Sequence, residues 1–144
     1  MNRFVAFESF ASDLVPNDTN GEFDVFLRDR LLGTTQRVSL TTGGAQYDGY
    51  SRNVDLSGDG ARAVFRQTPP DYPNNQRVHA LLWETSTSTV SLLSASDSGE
   101  EGNAPTYGPN LSANGSWVGF PSSAANLVAG DTNAVADAFV VGLE

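Results

Sequence analysis

Apolar and polar positions alternate in short runs along most of the chain. FVAFES from Phe4 and DVFLRD from Asp24 do so, and both are rich in aromatic or β-branched residues. That combination predicts half-buried strands. QRVSL from Gln36, STVSLL from Ser88 and DAFVVGL from Asp137 follow the same rule. HALLWE from His79 is instead a short apolar run, as a strand covered on both faces would be. Turn signals separate these runs: Asn20-Gly21, Gly43-Gly44, Asp59-Gly60, Pro69-Pro70 and Asn114-Gly115. No window sustains a 3.6-residue apolar period, and 14 Gly and 7 Pro interrupt every candidate helix. The pattern predicts an all-β chain of about ten short antiparallel strands, four per unit.

The pattern also repeats. Arg3 to Leu27 aligns without a gap on Ser116 to Val140, and eleven of the 25 positions are identical. The identities include Phe7/Phe120, Leu14/Leu127, Asp18/Asp131, Thr19/Thr132, Asn20/Asn133, Asp24/Asp137 and Phe26/Phe139. A second pair, DLSGDGARAVF from Asp55 and NLSANGSWVGF from Asn110, lies 55 residues apart. The chain therefore reads as a single repeat domain over residues 1–144, with units near 3–59, 60–114 and 115–144. The middle unit is degenerate. Its TPPDYPNNQRVHALLWE replaces the loop that carries Asp-Thr-Asn elsewhere, and His79 stands near the place of Asp24 and Asp137. Four antiparallel strands per repeat with Gly and aromatic punctuation describe β-propeller blades.

LSGDGARAVFRQ and LSANGSWVGFPS resemble the Ser-x-Asp-Gly-x-x-x-x-Phe strand pair of TolB-like β-propellers. LVPNDTNGEFDVFLRD and LVAGDTNAVADAFVV are similar to the Asp-Thr-Asn-x-x-x-Asp-Val-Phe element of bacterial multi-repeat members of that group. The resemblance implies a propeller fold and a largely periplasmic or extracellular setting. It implies little about activity, because such propellers serve as scaffolds, partner-binding modules and enzyme accessory domains.

Composition narrows the function further. The 17 acids outnumber the 8 basic residues, all of them Arg, for a formal net charge of -9. Nucleic-acid binding relies on cations that displace phosphate counterions, so a nucleic-acid partner is not expected, nor is an anionic membrane surface. No run approaches the ~20 apolar residues of a membrane-spanning helix. The N-terminus MNRFVAFESF lacks the basic-then-apolar order of a secretory signal, which leaves the compartment open. Absence of Cys excludes thiolate chemistry, and one His excludes any site built on two imidazoles.

Four features could carry function. Asp18, Asn20, Glu22 and Asp24 fall at alternate positions, and Asp131, Asn133 and Asp137 repeat the set without its glutamate. Oxygens at alternate loop positions suit calcium, with the first loop binding more tightly; the same residues suit an Asx turn that caps loop N–H groups. No cofactor is required by either reading. Leu-Ser-x-Asp/Asn-Gly suits a two-residue hairpin turn with Asp59-Gly60 and Asn114-Gly115 at positive φ. Phe10, Phe23 and Trp83 form a candidate surface patch for a protein or glycan, or else pack under a long loop. Trp117 aligns with Phe4 and is expected in a core or between blades, whereas Trp83 aligns with Arg28 and is expected outward. No Gly-x-Ser-x-Gly elbow or converging carboxylate pair is present, and His79 has no nucleophile pattern nearby, so no catalytic residue is assigned.

A propeller ring needs about four to eight blades, and this chain has material for two and a half to three. The expected solution is a homodimer whose half-rings close one ring of about six blades, covering Leu56, Leu111 and Trp117. A repacked β array and a piece of a longer protein are the alternatives. The functional expectation is a non-catalytic binding or scaffold module. Behind it stand a calcium-stabilised structural repeat and an enzyme whose site forms only in an assembled channel.

Overall fold

A computed structural model describes residues 3–143. The strands are β1 (Phe4–Ser9), β2 (Asp24–Asp29), β3 (Thr34–Arg37), β4 (Tyr50–Leu56), β5 (Arg62–Thr68), β6 (His79–Glu84), β7 (Thr89–Leu92), β8 (Asn110–Leu111), β9 (Trp117–Ser122) and β10 (Asp137–Gly142). They form three antiparallel sheets, ordered β1-β2-β3, β4-β5-β6-β7 and β10-β9-β8. No helix among the described residues is long and apolar enough to cross a membrane.

The repeat assigns each strand its place in a blade. The middle sheet is complete. The first holds the equivalents of strands two to four, and the last those of strands one to three. Phe7 pairs with Phe26 and Phe120 with Phe139 in register. Their rings stack alike, at 5.6 Å and 5.9 Å between centroids and 24° between planes in both. The sequence unit runs from strand two to strand one of the next blade. Its boundaries at 59/60 and 114/115 therefore fall inside hairpin turns, while the sheets run 4–37, 50–92 and 110–142.

The core sits on both faces of the middle blade. Side chains alternate across a strand, so paired residues share a face. Ala63 pairs with Trp83 and Phe65 with Leu81; these four turn toward the first blade and pack with Val25, Leu27 and Val38. Val64 pairs with Leu82; with Ala80 and Leu93 these turn toward the third blade and pack with Val118, Phe120 and Leu127. This explains why HALLWE is apolar throughout. Leu56 and Leu111 are half-buried against these same two clusters, covered by adjacent blades.

Both tryptophans depart from expectation. Trp83 is buried, at 2% exposure, because the first blade covers that face of the middle one. Arg28 holds the same blade position on the face no blade covers, which is why alignment with it misled. Trp117 is 56% exposed, because no blade covers the last sheet's outer face among the described residues.

The Leu-Ser-x-Asp/Asn-Gly hairpins are also longer than expected. Of their turn residues only Gly60 and Gly115 have positive φ, at 74° and 69°. Asp59 and Asn114 keep ordinary backbone and act through their side chains. Ser57 Oγ donates to Asp59 Oδ1 and accepts the Arg62 N–H at 3.0 Å; Ser112 Oγ treats Asn114 and the Trp117 N–H in the same way. Blades are further tied by carboxylates at the inner strands. Glu8 Oε1 accepts the Asn53 N–H at the bulge in β4, and Asp55 Oδ2 accepts the Leu111 N–H at 2.8 Å.

Gly60 sits where the first blade meets the middle one. A Cβ there would lie 2.3 Å from Phe4 Cδ2, whereas one on Gly99, at φ 84°, would meet nothing within 4 Å. Gly99→Ala is expected to cost about 1 kcal/mol, the cost of a left-handed alanine. Gly60→Ala is expected to cost a further ~1–3 kcal/mol from overpacking. Urea unfolding midpoints of the two variants check this order; equal shifts would contradict the close approach.

Candidate functional site

The Asp-Thr-Asn loop of the first blade closes around an arginine. The register that sets Arg37 opposite Phe26 brings its guanidinium beneath the loop. Arg37 Nη1 lies 3.3 Å from Asp18 and 3.5 Å from Asp24, and Nη2 donates to the Asn17 carbonyl at 3.2 Å. All three side chains are nearly or fully buried. Gln46 Nε2 donates to Asp18, while Gln46 Oε1 accepts the Thr19 hydroxyl and N–H. Asn20 Oδ1 accepts the Glu22 N–H, an Asx turn, and its amide donates to Asp24 and to the Tyr47 carbonyl. Ser39 Oγ donates to Asp24 and accepts the Val25 N–H at 3.0 Å. Burial pushes the Asp24 carboxyl above its ordinary range, against the pull of Ser39 and Arg37. Asp18, Asn20 and Asp24 thus converge on a cation that the chain itself supplies. Of Glu22 the loop uses the backbone N–H.

The middle blade builds the same corner with the charges exchanged. Ser94 Oγ accepts the Ala80 N–H and lies 3.2 Å from His79 Nδ1, so His79 takes the place of Asp24. Glu101 takes the place of Gln46, because Ala95↔Glu101 and Leu40↔Gln46 are matching bridges. Glu101 Oε2 lies 3.5 Å from Arg77 Nη1 and 3.8 Å from His79 Nε2. Burial lowers the His79 pKa below 6.5, and Glu101 opposes that shift. Tyr47, Gln67, Arg77, His79 and Glu101 line an adjoining cavity of about 280 Å³.

Ser94, His79 and Glu101 have the chemical types of a hydrolytic triad. They lack its access: Ser94 is 0% exposed. Its hydroxyl closes a strand pair, as Ser39 does in the first blade beside an aspartate. A nucleophile must reach substrate, so this grouping is a structural clasp.

The third loop repeats the turn without the cation. Asn133 Oδ1 accepts the Val135 N–H, and its amide donates to Asp137 at 2.9 Å. No ion pair reaches Asp131 or Asp137 among the described residues. Among the described residues no three His, Cys, Asp or Glu side chains gather as a metal cluster would.

Of the candidate patch, Phe10 and Phe23 meet, with ring centroids 5.4 Å apart, and Arg52 lies over Phe23 at 3.7 Å. Phe10 is 58% exposed. Trp83 is removed from the patch by its burial. Arg37, Ser39, Ser94 and Glu101 escaped the sequence reading. The spacing of 55 residues between Val38-Ser39 and Leu93-Ser94, and between Gln46 and Glu101, is the signal that finds them.

No family model and no curated protein matches the sequence. Solved structures do match. A structure described as TolB from Agrobacterium tumefaciens aligns over 98% of this chain with a TM-score of 0.54 at 16% identity. The tricorn protease aligns over 83% with a TM-score of 0.52 at 12% identity. The chain spans 42% of the first structure's length and 12% of the second's. At such identities the likeness shows the fold, which is that of propeller blades of the TolB type.

Two outcomes follow from this geometry. Arg37→Met leaves two buried carboxylates without their cation and is expected to cost about 3 kcal/mol in urea unfolding. The neutral form of His79 is favoured by folding, so the stability it adds is present above pH 6.5 and lost as pH falls below it. As the chain has a single histidine, His79→Gln is expected to flatten the stability profile between about pH 7 and 5.

Proposed function

We propose that this chain is a non-catalytic propeller scaffold that binds a protein partner across its two open blade faces, a second copy of itself being the partner that fits. One observation carries the reading. Residues at equivalent repeat positions are buried where a neighbouring blade covers them and exposed where none does. Leu27 is 1% exposed and Val140 68%; Leu127 is 6% and Leu14 39%; Val118 is 0% and Val5 43%.

The open face of the first blade, with Val5 and Leu14, is the kind of surface that the second and third blades bury against the blade before them. The open face of the third, with Trp117 and Val140, is the kind that the first and second bury against the blade after them. The two are therefore complementary head to tail. Closing both contacts with a second copy makes a two-fold ring of about six blades.

Magnitude favours closure over a single contact. A side chain about half exposed gains on the order of 1 kcal/mol when covered, so the four named side chains of one interface gain about 4. That only reaches the lower end of the ~4–15 kcal/mol association cost. Two interfaces formed together double the gain against one such cost. Apolar, sheet-like faces also suit a protein better than a glycan, which needs convergent polar groups. The buried Ser94 hydroxyl supports the non-catalytic part of the reading.

Light scattering behind a sizing column tests it. The expected mass is twice 15.3 kDa, with Val140→Asp and Val5→Asp each returning the mass of one chain. A wild-type monomer at every concentration measured would overturn the second copy as partner.

A further inference from the structure

We propose that the third blade captures an extended partner segment carrying Arg-x-Ser, adding it as a fourth strand along β10 and seating its arginine between Asp131 and Asp137. This surface is a sheet edge, distinct from the blade faces invoked above. The recognition mode is β-strand addition, in which backbone bonds give affinity and one side-chain pocket gives selectivity.

The first blade shows the complete arrangement. Its fourth strand places Arg37 opposite Phe26. The Arg37 guanidinium then meets Asp18, Asp24 and the Asn17 carbonyl. Two residues on, Ser39 Oγ donates to Asp24 and accepts the Val25 N–H, and the Val38 N–H donates to the Val25 carbonyl at 2.9 Å. The clasp thus uses five positions, Asn17, Asp18, Asp24, Val25 and Phe26.

The third blade holds Gly130, Asp131, Asp137, Ala138 and Phe139 at those positions. All five line one open cavity of about 400 Å³. Strand β10 pairs with β9 on one side and with no strand on the other among the described residues. The cavity is thus the first blade's arginine seat without its arginine. The two carboxylates that face Arg37 in one blade have no cation in the other.

The middle blade supplies the control. Its fourth strand sits in the same register, Leu92 opposite Leu81, and its serine, Ser94, bonds the Ala80 N–H two residues later. There the seat lacks both aspartates, and the residue opposite is leucine rather than arginine. The serine therefore follows the strand geometry, while the arginine follows the aspartate pair. A segment for the third blade needs both, with arginine opposite Phe139 and serine reaching Asp137. The chain's net charge of -9 favours the approach of such a basic segment.

The probe is a labelled synthetic peptide, TTQRVSLT, copying residues 34–41. Fluorescence anisotropy with the intact chain should show saturable binding, weakened roughly tenfold or more when the peptide's arginine is replaced by citrulline or when the protein carries Asp131→Asn with Asp137→Asn. Hydrogen exchange should show new protection over residues 137–142. Val5→Asp, which breaks the blade-face contact, should leave peptide binding intact, so failure here and failure of ring closure are separately visible. Equal binding of the citrulline peptide, protection confined to other strands, or no saturation with a protein whose circular dichroism is unchanged would each overturn the proposal.

Discussion

The structure depends on burying both faces of one sheet. Strands β5 and β6 sort their side chains by strict alternation, Ala63, Phe65, Leu81 and Trp83 to one side, Val64, Ala80 and Leu82 to the other. Neither flanking sheet has a second cover, so each is organised by the face it turns inward. A sheet of three or four strands with one apolar face needs a partner layer for stability. The middle blade is that layer twice over. The carboxylate ties at β4 and the close approach at Gly60 are fine positioning on top of it, because they set how the inner strands meet once the faces have packed.

The strands were legible where alternation was clean. FVAFES, DVFLRD, HALLWE and DAFVVG coincide with β1, β2, β6 and β10, and the stacked Phe7–Phe26 and Phe120–Phe139 pairs confirm the repeat that joined them. Strand β4 is harder to read. YSRNVDL is polar, and a bulge between Arg52 and Asp55, with Asn53 at a φ of 57°, breaks its period. The two tryptophans mark another limit. Trp83 and Trp117 differ in exposure because one faces a neighbouring blade and the other does not. Burial in a repeat array belongs to the interface, and one position in a repeat carries one residue preference through copies that are covered and copies that are not.

The candidate site was legible by half for a related reason. Repeat identity singled out Asp18, Asn20 and Asp24, and the Asx turn they form is local chemistry. Their cation is not local. Arg37 reaches them only through the pairing that sets it opposite Phe26. Oxygens at alternate loop positions describe a calcium loop and an arginine seat equally well until that register is known. What separates the two is the fourth strand, which no pattern within the loop contains.

Comparing the three corners shows what is general in them. Each is a strand-three residue held near its loop, with a serine on strand four where that strand is present. Around this frame the charge is free to change sign. The first blade sets acids on the loop against Arg37, and the middle blade sets Arg77 and His79 against Glu101. A buried charge costs several kcal/mol unless it is paired, so neither sign persists without a partner across the strand. Complementary substitution on the two sides is therefore the allowed route of change, and a lone change on one side is not. The third blade keeps the acidic side of that pair intact at Asp131 and Asp137. By the same argument its corner is complete only with a cation delivered on a strand, so selectivity at the β10 edge follows from the constraint that shaped the closed corners.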